Sequence, residues 1–486
     1  MYAQDFFKSN SYRFEMNNFL STSQNLPFWL ASNRNGEVQR NVPSLQFIGE
    51  IQHEYDSLYN SERKLKKFNL GYGIRNVVNI SKTPDLRLSE GFIKARFRSF
   101  EFYAGRRREI IGLIDSTLSS GSYIWSGNAL PIPKIQISIP NYTPITKEGL
   151  ISIKGSFNHG WFGSSDSVQR YYLHQKNLYA RFGKPKWRFK FYSGINHQVQ
   201  WGGRPTYPFY DSRTEQIITK FPSDLSSYIN VVTGLSLNRK LDAGIIKDGT
   251  PYNEAYNRAG NHLGTVDLAI DYFTPKGTIL LYRQSIFEDG SLFYLNNISD
   301  GLVGASFKSS QCRKGNFIIF ERINVEYLKT SNQGGNIGSG GKTGNINQLR
   351  GLDNYFNNSL YKDGYTYKKQ TIGTPFIMPI SIYEDAFPKY QGKGNFNYLL
   401  NNRIKAFHIA TQFSIGKSLE LLLRYSRTRN LGNYISPVLL IQNSLFLQTN
   451  YSGKDWRLIF SLSMDNGNLL NNSIGSMISF QKQLFY

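Results

Sequence analysis

The sequence predicts an all-β fold, a transmembrane antiparallel β-barrel, on three observations. Apolar and polar residues alternate with a period of two in many segments of strand length, which indicates strands with two unlike faces. Aromatic residues make up 15% of the 486 residues, yet the mean hydropathy is only −0.42. That combination is typical of barrels in which a polar interior offsets an aromatic outer surface. The chain also ends on an alternating segment with a terminal aromatic, GSMISFQKQLFY, as is typical of outer-membrane barrels.

The alternation predicts most of the strands, and turn signals such as Pro-Lys-Gly at 275–277 separate them. Helical periodicity is confined to about 5–20, where we expect a helix. The predicted strands are 45–56, 68–80, 92–104, 134–139, 150–157, 178–182, 186–203, 231–237, 265–273, 278–286, 302–307, 316–328, 404–415, 418–427, 439–449, 456–464 and 475–486.

No apolar run reaches the roughly 18–20 residues that a membrane-spanning helix needs, and the most apolar pieces have strand length. The chain begins MYAQDF, without the basic head and apolar core of an export signal. This beginning fits either a chain without an export signal or a mature chain from which the signal has been removed.

The net charge of +23 favours an anionic partner: nucleic acid, anionic lipid or acidic polysaccharide. The segment KWRFKFYSGINHQVQWGG, 186–203, distinguishes among these. Its odd positions are mostly aromatic or apolar, whereas its even positions carry two cations and several amides. A single-stranded nucleic-acid platform would place aromatics and cations on one face. The pattern therefore argues against nucleic acid.

Membrane insertion decides how this strand is oriented. A charge that faces lipid costs roughly 2–4 kcal/mol at the bilayer midplane, so the even face should line the lumen. Trp187 and Trp201, near the two ends of the segment, are then expected in the aromatic girdles at the two membrane interfaces.

One insertion, 331–348, is rich in glycine and is predicted to be a loop. It contains NIGSGGKT, close to a phosphate-binding P-loop, but Asn336 replaces the first glycine and no helical pattern follows. We therefore expect no nucleotide site there.

The motifs SGNALPIPKI (126–135) and GINHQVQWGG (194–203), with PFWLASNRNGEV (27–38) and pieces at 260–268, 288–304 and 354–376, make the chain resemble the Wzi family of capsule-assembly outer-membrane proteins. The pieces follow in order along nearly the whole chain. The resemblance implies a monomeric barrel of about 18 strands over 41–486, with a small plug-like helical portion on the periplasmic side over 1–40. It also implies a lectin-like role in holding capsular or related polysaccharide at the cell surface.

Polysaccharide binding needs aromatic planes, amides and cations that pair with acidic groups. The even face of 186–203 and the basic cluster after Gly105 supply these types, although the cluster fits lipopolysaccharide phosphates equally well. The candidate residues are Arg188, Lys190, Asn196, Gln198, Gln200, Trp201, Arg204, Arg106, Arg107 and Arg108.

No catalytic or metal-binding pattern stands out. The six histidines lack zinc-ligand spacing, and no compact Ser/His/acid set is present. We therefore expect no cofactor, no metal and no enzymatic activity. The leading hypothesis is a polysaccharide-retaining barrel whose partners are acidic surface polysaccharide, outer-membrane lipid and lipopolysaccharide. A porin-like channel for small anionic or sugar solutes, or a scaffold for surface lipoproteins, remain alternatives.

Overall fold

The computed structural model describes residues 10–53, 55, 68–164, 166–288, 291–310, 317–335, 351–383, 386 and 398–485. One antiparallel sheet of 18 strands closes into a barrel, because the first strand pairs with the last. This confirms the predicted fold class. The strands are β1 (Asn10–Ser21), β2 (Ser44–His53), β3 (Phe68–Ile80), β4 (Asp85–Phe97), β5 (Phe100–Arg106), β6 (Lys134–Pro144), β7 (Ile151–Trp161), β8 (Tyr172–Phe182), β9 (Phe189–Trp201), β10 (Asn261–Thr274), β11 (Gly277–Glu288), β12 (Gly301–Ser309), β13 (Ile318–Lys329), β14 (Ile404–Ile415), β15 (Leu419–Gly432), β16 (Pro437–Ser452), β17 (Trp456–Gly467) and β18 (Ser473–Phe485).

The helix predicted over 5–20 is wrong for the described residues, 10–20, which form most of β1. Phe14 and Met16 point outward and are exposed, while Glu15 and Asn17 point inward and are buried. Pairing with β2 on one side and β18 on the other uses the backbone groups that would otherwise form a helix. The boundary proposed between 40 and 41 therefore falls within the barrel.

The two ends of the barrel differ in the length of their connections. One end, the short-turn end, carries the turns 98–99, 275–276 and 416–418. The opposite, long-loop end carries 107–133, 202–260 and 330–403. In outer-membrane barrels short turns face the periplasm and long loops face the outside.

Four α-helices occur in the part of the chain that the structure describes, and all belong to long-loop connections: α1 (Phe28–Ala31), α2 (Leu225–Thr233), α3 (Asn238–Asp242) and α4 (Tyr252–Tyr256). The strand predicted over 231–237 is wrong because α2 covers its first half. Asp224 caps the start of α2 by accepting from the Ser227 amide, and Gly234 ends it at a φ of 64°. None of the helices in the described ranges is long and apolar enough to cross a membrane.

The predicted strand 92–104 is divided in the structure, since β4 ends at Phe97 and β5 begins at Phe100. Arg98 lies between them at a φ of 54°, in the left-handed region that tight hairpins use. Because no glycine marks this turn, the alternation on its two sides predicts a single strand.

Three inward segments fold from the long-loop end back into the barrel and form most of its core. Phe28 stacks on Phe376 with ring centroids 5.4 Å apart, and Tyr123 packs against Phe356 at 4.8 Å. These contacts join the segments to one another inside the barrel, in the half next to the long-loop end. The inward segments are 22–43, 107–133 and 351–383.

Candidate functional site

The short-turn half of β9 has the two faces that the sequence predicts. Phe189, Phe191 and Ile195 are exposed on the outside, as lipid-facing side chains should be. Trp187, just before the strand, is 51% exposed. Its position agrees with the interfacial girdle expected there.

The long-loop half of β9 departs from that prediction. Trp201 lies on the outer face but is only 4% exposed, because it packs with Val199 against Val231 of α2. The Trp201 ring also lies 5.3 Å from the ring of Tyr228, on the same helix. Helices α2 and α3 together form what we call the external cap, a layer outside the barrel wall. Trp201 is therefore a packing residue beneath the external cap and not a girdle residue.

The inward amides of β9 are packed as well. Asn196, Gln198 and Gln200 have no exposed surface. Gln198 Nε2 donates to Asn196 Oδ1 at 2.8 Å, and Gln200 Nε2 donates to the Gly364 carbonyl of an inward segment at 3.1 Å. Gln200 therefore links the barrel wall to an inward segment. The bond between Gln198 and Asn196 lies within β9, and all three side chains are buried.

The remaining candidates of this stretch are not brought together. Arg188 is exposed in the turn before β9, at the short-turn end. Lys190 lies nearby, with Nζ 4.6 Å from the centroid of the Phe273 ring. Arg204 is exposed at the opposite end, where Arg204–Pro205 pairs with Val168–Gln169. The length of β9 separates Arg204 from the other two.

The basic cluster after Gly105 is largely neutralised inside the barrel. Arg107 Nη1 lies 2.6 Å from Glu101 Oε1. Arg108 Nη2 lies 2.8 Å from Glu90 Oε2 and 3.4 Å from Glu50 Oε2. Inward carboxylates of β2, β4 and β5 thus pair with these two arginines, which directly follow the end of β5.

Arg75 on β3 forms a second buried charge network that the sequence did not reveal. Its guanidinium contacts Glu15 Oε1 at 3.1 Å, Glu50 Oε2 at 2.6 Å and Glu37 Oε1 at 2.9 Å. Glu37 belongs to the inward segment 22–43, so this network fixes that segment to the wall. Each of these groups is buried, which makes the pairing necessary for the charges to be tolerated.

The inward segment 107–133, the lumen-crossing segment, extends from β5 to the opposite wall. The Leu113 amide donates to Asp267 on β10 at 3.0 Å. The Ser120 amide and hydroxyl donate to Glu326 Oε2 on β13 at 2.7 and 2.6 Å, and the Leu118 carbonyl lies 3.0 Å from His408 Nε2 on β14. Polar residues of three strands therefore hold this segment across the lumen.

Asn128, in the SGNALPIPKI motif, joins all three inward segments. Its Oδ1 accepts from the Asn33 amide at 3.0 Å, and its Nδ2 donates to the Thr371 carbonyl at 2.9 Å. Asn128 thus fixes the conformation of the loop that contains the motif.

A cleft of about 410 Å³ opens at the long-loop end beside these segments, and we call it the mouth cleft. Three cations line it, Arg87, Arg106 and Lys368, with Asp85 as its carboxylate. Arg87 Nε donates to Asp85 Oδ2 at 2.6 Å, and Arg106 Nη2 donates to the Tyr367 hydroxyl at 2.9 Å. Of the sequence candidates only Arg106 reaches this cleft.

Lys368 is presented by a hairpin between Thr366–Tyr367 and Gln370–Thr371. Both turn residues, Lys368 and Lys369, have positive φ, 51° and 62°. Asn-Gly or Asp-Gly is the usual choice at such positions, so two lysines there are strained. Lys368 was not among the residues predicted from the sequence; the Lys-Lys dipeptide between Thr366–Tyr367 and Gln370–Thr371 is the sequence signal that could have indicated it.

The chain has the fold of an outer-membrane β-barrel. It is similar to the structure of Wzi, an outer-membrane protein involved in group 1 capsule assembly in Escherichia coli and a carbohydrate-binding β-barrel, with 13% identity and a TM-score of 0.58 over 100% of this chain and 86% of that one. It is also similar to Pseudomonas aeruginosa OccK5 (8% identity, TM-score 0.47, 99% of both chains) and OpdK (9%, 0.45, 98% of both). No family model matches the sequence, and no curated protein matches it. At these identities the likeness shows the fold alone.

Proposed function

We propose that this protein is a non-catalytic outer-membrane barrel that binds and retains acidic surface polysaccharide at the mouth cleft. The observation that carries the proposal is the cluster of three cations around a 410 Å³ cleft at the long-loop end. In the expected orientation that end faces outward, where a surface glycan would meet it. The resemblance to the capsule-assembly Wzi family supports the same role.

The chemistry of the mouth cleft suits a uronate or phosphate-bearing sugar. Arginine offers paired donors to a carboxylate, and lysine adds a mobile positive charge. Asp85 is already engaged by Arg87 and also accepts from Asn79 Nδ2 at 2.7 Å. Two of the three cations, Arg106 and Lys368, are thus not paired with Asp85 and are the principal expected contacts.

Binding of polygalacturonate, with neutral dextran as comparison, tests the proposal. Arg106→Gln/Lys368→Gln should weaken polygalacturonate binding by at least about tenfold, because each change removes a charge-assisted contact. Wild-type binding should also weaken as salt is raised, since the contacts are partly exposed. Dextran binding should not change with salt.

The matched control is Arg188→Gln/Lys190→Gln, which removes two cations at the short-turn end. It should leave polygalacturonate binding unchanged. If the control pair weakened binding as much as the mouth pair, the mouth cleft would be rejected as the site. In cells, the mouth variant should shift polysaccharide from the cell-associated to the shed fraction, and an unchanged distribution would count against retention.

A second candidate function, passage of small solutes, is favoured by one further feature. A polar cavity of about 210 Å³ lies against the lumen-crossing segment, lined by Arg107, Glu109, Lys154 and Asn177 among others. Planar-bilayer recordings separate the two functions. Large, stable single-channel steps in the wild type would favour the channel, whereas their absence with retained glycan binding would favour retention.

A further inference from the structure

The outer surface of β13–β15 carries an unusual group of cations next to the long-loop end. Lys329 lies directly opposite Lys405, and Lys405 lies directly opposite Arg429. Arg427, two residues before Arg429, lies opposite Phe407. We call Lys329, Lys405, Arg427 and Arg429 the outer cation row.

Burial of the alternate residues shows that this row faces outward. Leu328 and Thr330 flank Lys329, Ile404 and Ala406 flank Lys405, and all four flanking residues are buried. Thr428 and Asn430, on either side of Arg429, are buried as well. Because successive side chains of a strand point to opposite faces, the cations lie on the outside of the wall.

The outer cation row is not neutralised within the described part of the protein. Lys329 Nζ donates to the Ser299 hydroxyl at 2.9 Å. Among the described residues, no carboxylate lies within ion-pairing distance of any member of the row. Like charges that face each other across two strands repel and destabilise a sheet. Binding of an external anion would therefore reduce this repulsion and stabilise the sheet.

An apolar groove of about 550 Å³ lies on the same outer surface, directly below the row. Ala305 and Leu281 line its middle, and Ile270, Tyr327 and Phe407 are among its other residues. Tyr327 is two residues from Lys329, and Phe407 is two residues from Lys405, so the groove and the cations form one continuous surface. A shallow apolar groove of this kind can hold an acyl chain.

We propose that this surface is a binding site for a phosphorylated, multiply acylated glycolipid of the lipid A class in the outer leaflet. Its phosphates pair with the outer cation row, and one acyl chain lies in the groove. The row is at the long-loop end, which is the level of the outer-leaflet headgroups in the expected orientation. Charge complementarity selects an anionic headgroup, and the adjoining groove selects a lipid over a soluble anion.

The test is titration of the detergent-solubilised barrel with diphosphoryl lipid A, with bound lipids counted by native mass spectrometry. Lys405→Gln/Arg429→Gln should weaken binding by about fivefold for each cation removed, since each cation contributes separately to attraction for an anionic lipid. The matched control, Lys276→Gln/Lys417→Gln, removes two exposed turn cations at the short-turn end and should bind as the wild type does. Equal loss in both pairs, or none in either, would overturn the proposal.

Two further arms separate the lipid from its headgroup. Ala305→Phe fills the groove without changing charge and should reduce lipid A binding, whereas unchanged binding would overturn the acyl contact. Excess inorganic phosphate should not displace lipid A, and complete displacement would show that the row recognises phosphate alone. Loss of folding does not confuse the outcome, because Lys405→Gln/Arg429→Gln relieves repulsion and should be more stable than the wild type in lipid-free detergent.

Discussion

The two halves of β9 have the same alternating sequence but different surroundings. In the short-turn half, outward Phe189 and Phe191 are exposed and the strand separates two environments. In the long-loop half, outward Trp201 is covered by the external cap, and inward Gln200 is bonded to an inward segment. The first half is a simple membrane wall, whereas the second is the middle layer of a three-layer structure.

This difference locates the additional layers of structure, and with them the candidate site, in the long-loop half of the molecule. At the long-loop end, all three inward segments contribute to the lining of the mouth cleft, and the external cap covers the outer face of β9. The short-turn half needs only strand pairing and a lipid-compatible outer face. Substitutions in the two halves should therefore have different consequences even where the residue type is the same.

The largest expected effect is that of truncating the buried tryptophan. Trp201→Ala should lower the free energy of unfolding by about 3–5 kcal/mol, because it leaves a cavity between the barrel and α2. Trp187→Ala, in the short-turn half, should have a much smaller effect, since half of its surface has no protein contact. Urea unfolding in detergent measures the first quantity, and amide hydrogen exchange across 225–242 should increase only in Trp201→Ala. Equal exchange in the two variants would show that the external cap does not depend on Trp201.

Periodicity predicted the strands well but not the layers. The bounds of β3 and β14 were predicted to the residue, and β9 lies within its predicted segment, because two-residue alternation is a local property of the wall. The external cap begins more than 20 residues after Trp201, and Gly364 lies farther still, so no local pattern reveals what covers β9. The wrong prediction of a helix at β1 has the same cause, because β1 is held by pairing with β18, which is remote in sequence.

The site was harder to predict than the fold. Arg106 was among the predicted residues, but Arg87 and Lys368 join it only when β4 and the 351–383 segment are in place. Conversely, Asn196 and Gln198 have the right chemistry and the right face, yet they are used for packing. The odd or even position of a residue in a strand shows to which face its side chain points. The accessibility of that side chain depends on the segments that fold over it.

The second prediction concerns pH and helix α4, in the long-loop connection 202–260. Burial raises the pKa of the Glu254 carboxyl, on α4, from 4.5 to about 7. A raised carboxyl pKa stabilises the folded state fully below pH 4.5, and this stabilisation is lost as the pH rises through 7. About 3 kcal/mol should be lost over that window.

Hydrogen exchange within 202–260 should therefore be faster at pH 8 than at pH 5 once the intrinsic pH dependence is removed. Glu254→Gln, which stays neutral, should abolish the difference. Exchange in the short-turn half of β9 serves as the internal reference and should not change. A wild-type difference that persists in Glu254→Gln would assign it to another group.

The third prediction concerns the attachment of the lumen-crossing segment to the wall. Glu326 accepts from Ser119 and from both donors of Ser120. Glu326→Ala leaves these donors unpaired and should cost about 2 kcal/mol. Single-channel conductance should increase as the segment loosens, whereas Glu148→Ala, in an exposed turn at the short-turn end, should leave conductance unchanged. Conductance that is equal in the wild type and Glu326→Ala would mean that the other contacts suffice.

The smallest expected effect lies in the simple half of the molecule. Arg188 is exposed in a turn at the short-turn end, and its described bond is a backbone one, from the Phe273 amide at 2.8 Å. Arg188→Gln keeps that bond, so the free energy of unfolding should change by less than about 0.5 kcal/mol. Polygalacturonate binding should also be unchanged, whereas Arg106→Gln should reduce it, although both replacements remove one charge. If Arg188→Gln alone reduced binding, the contact surface would have to include the short-turn end, and the functional division between the two halves would fail.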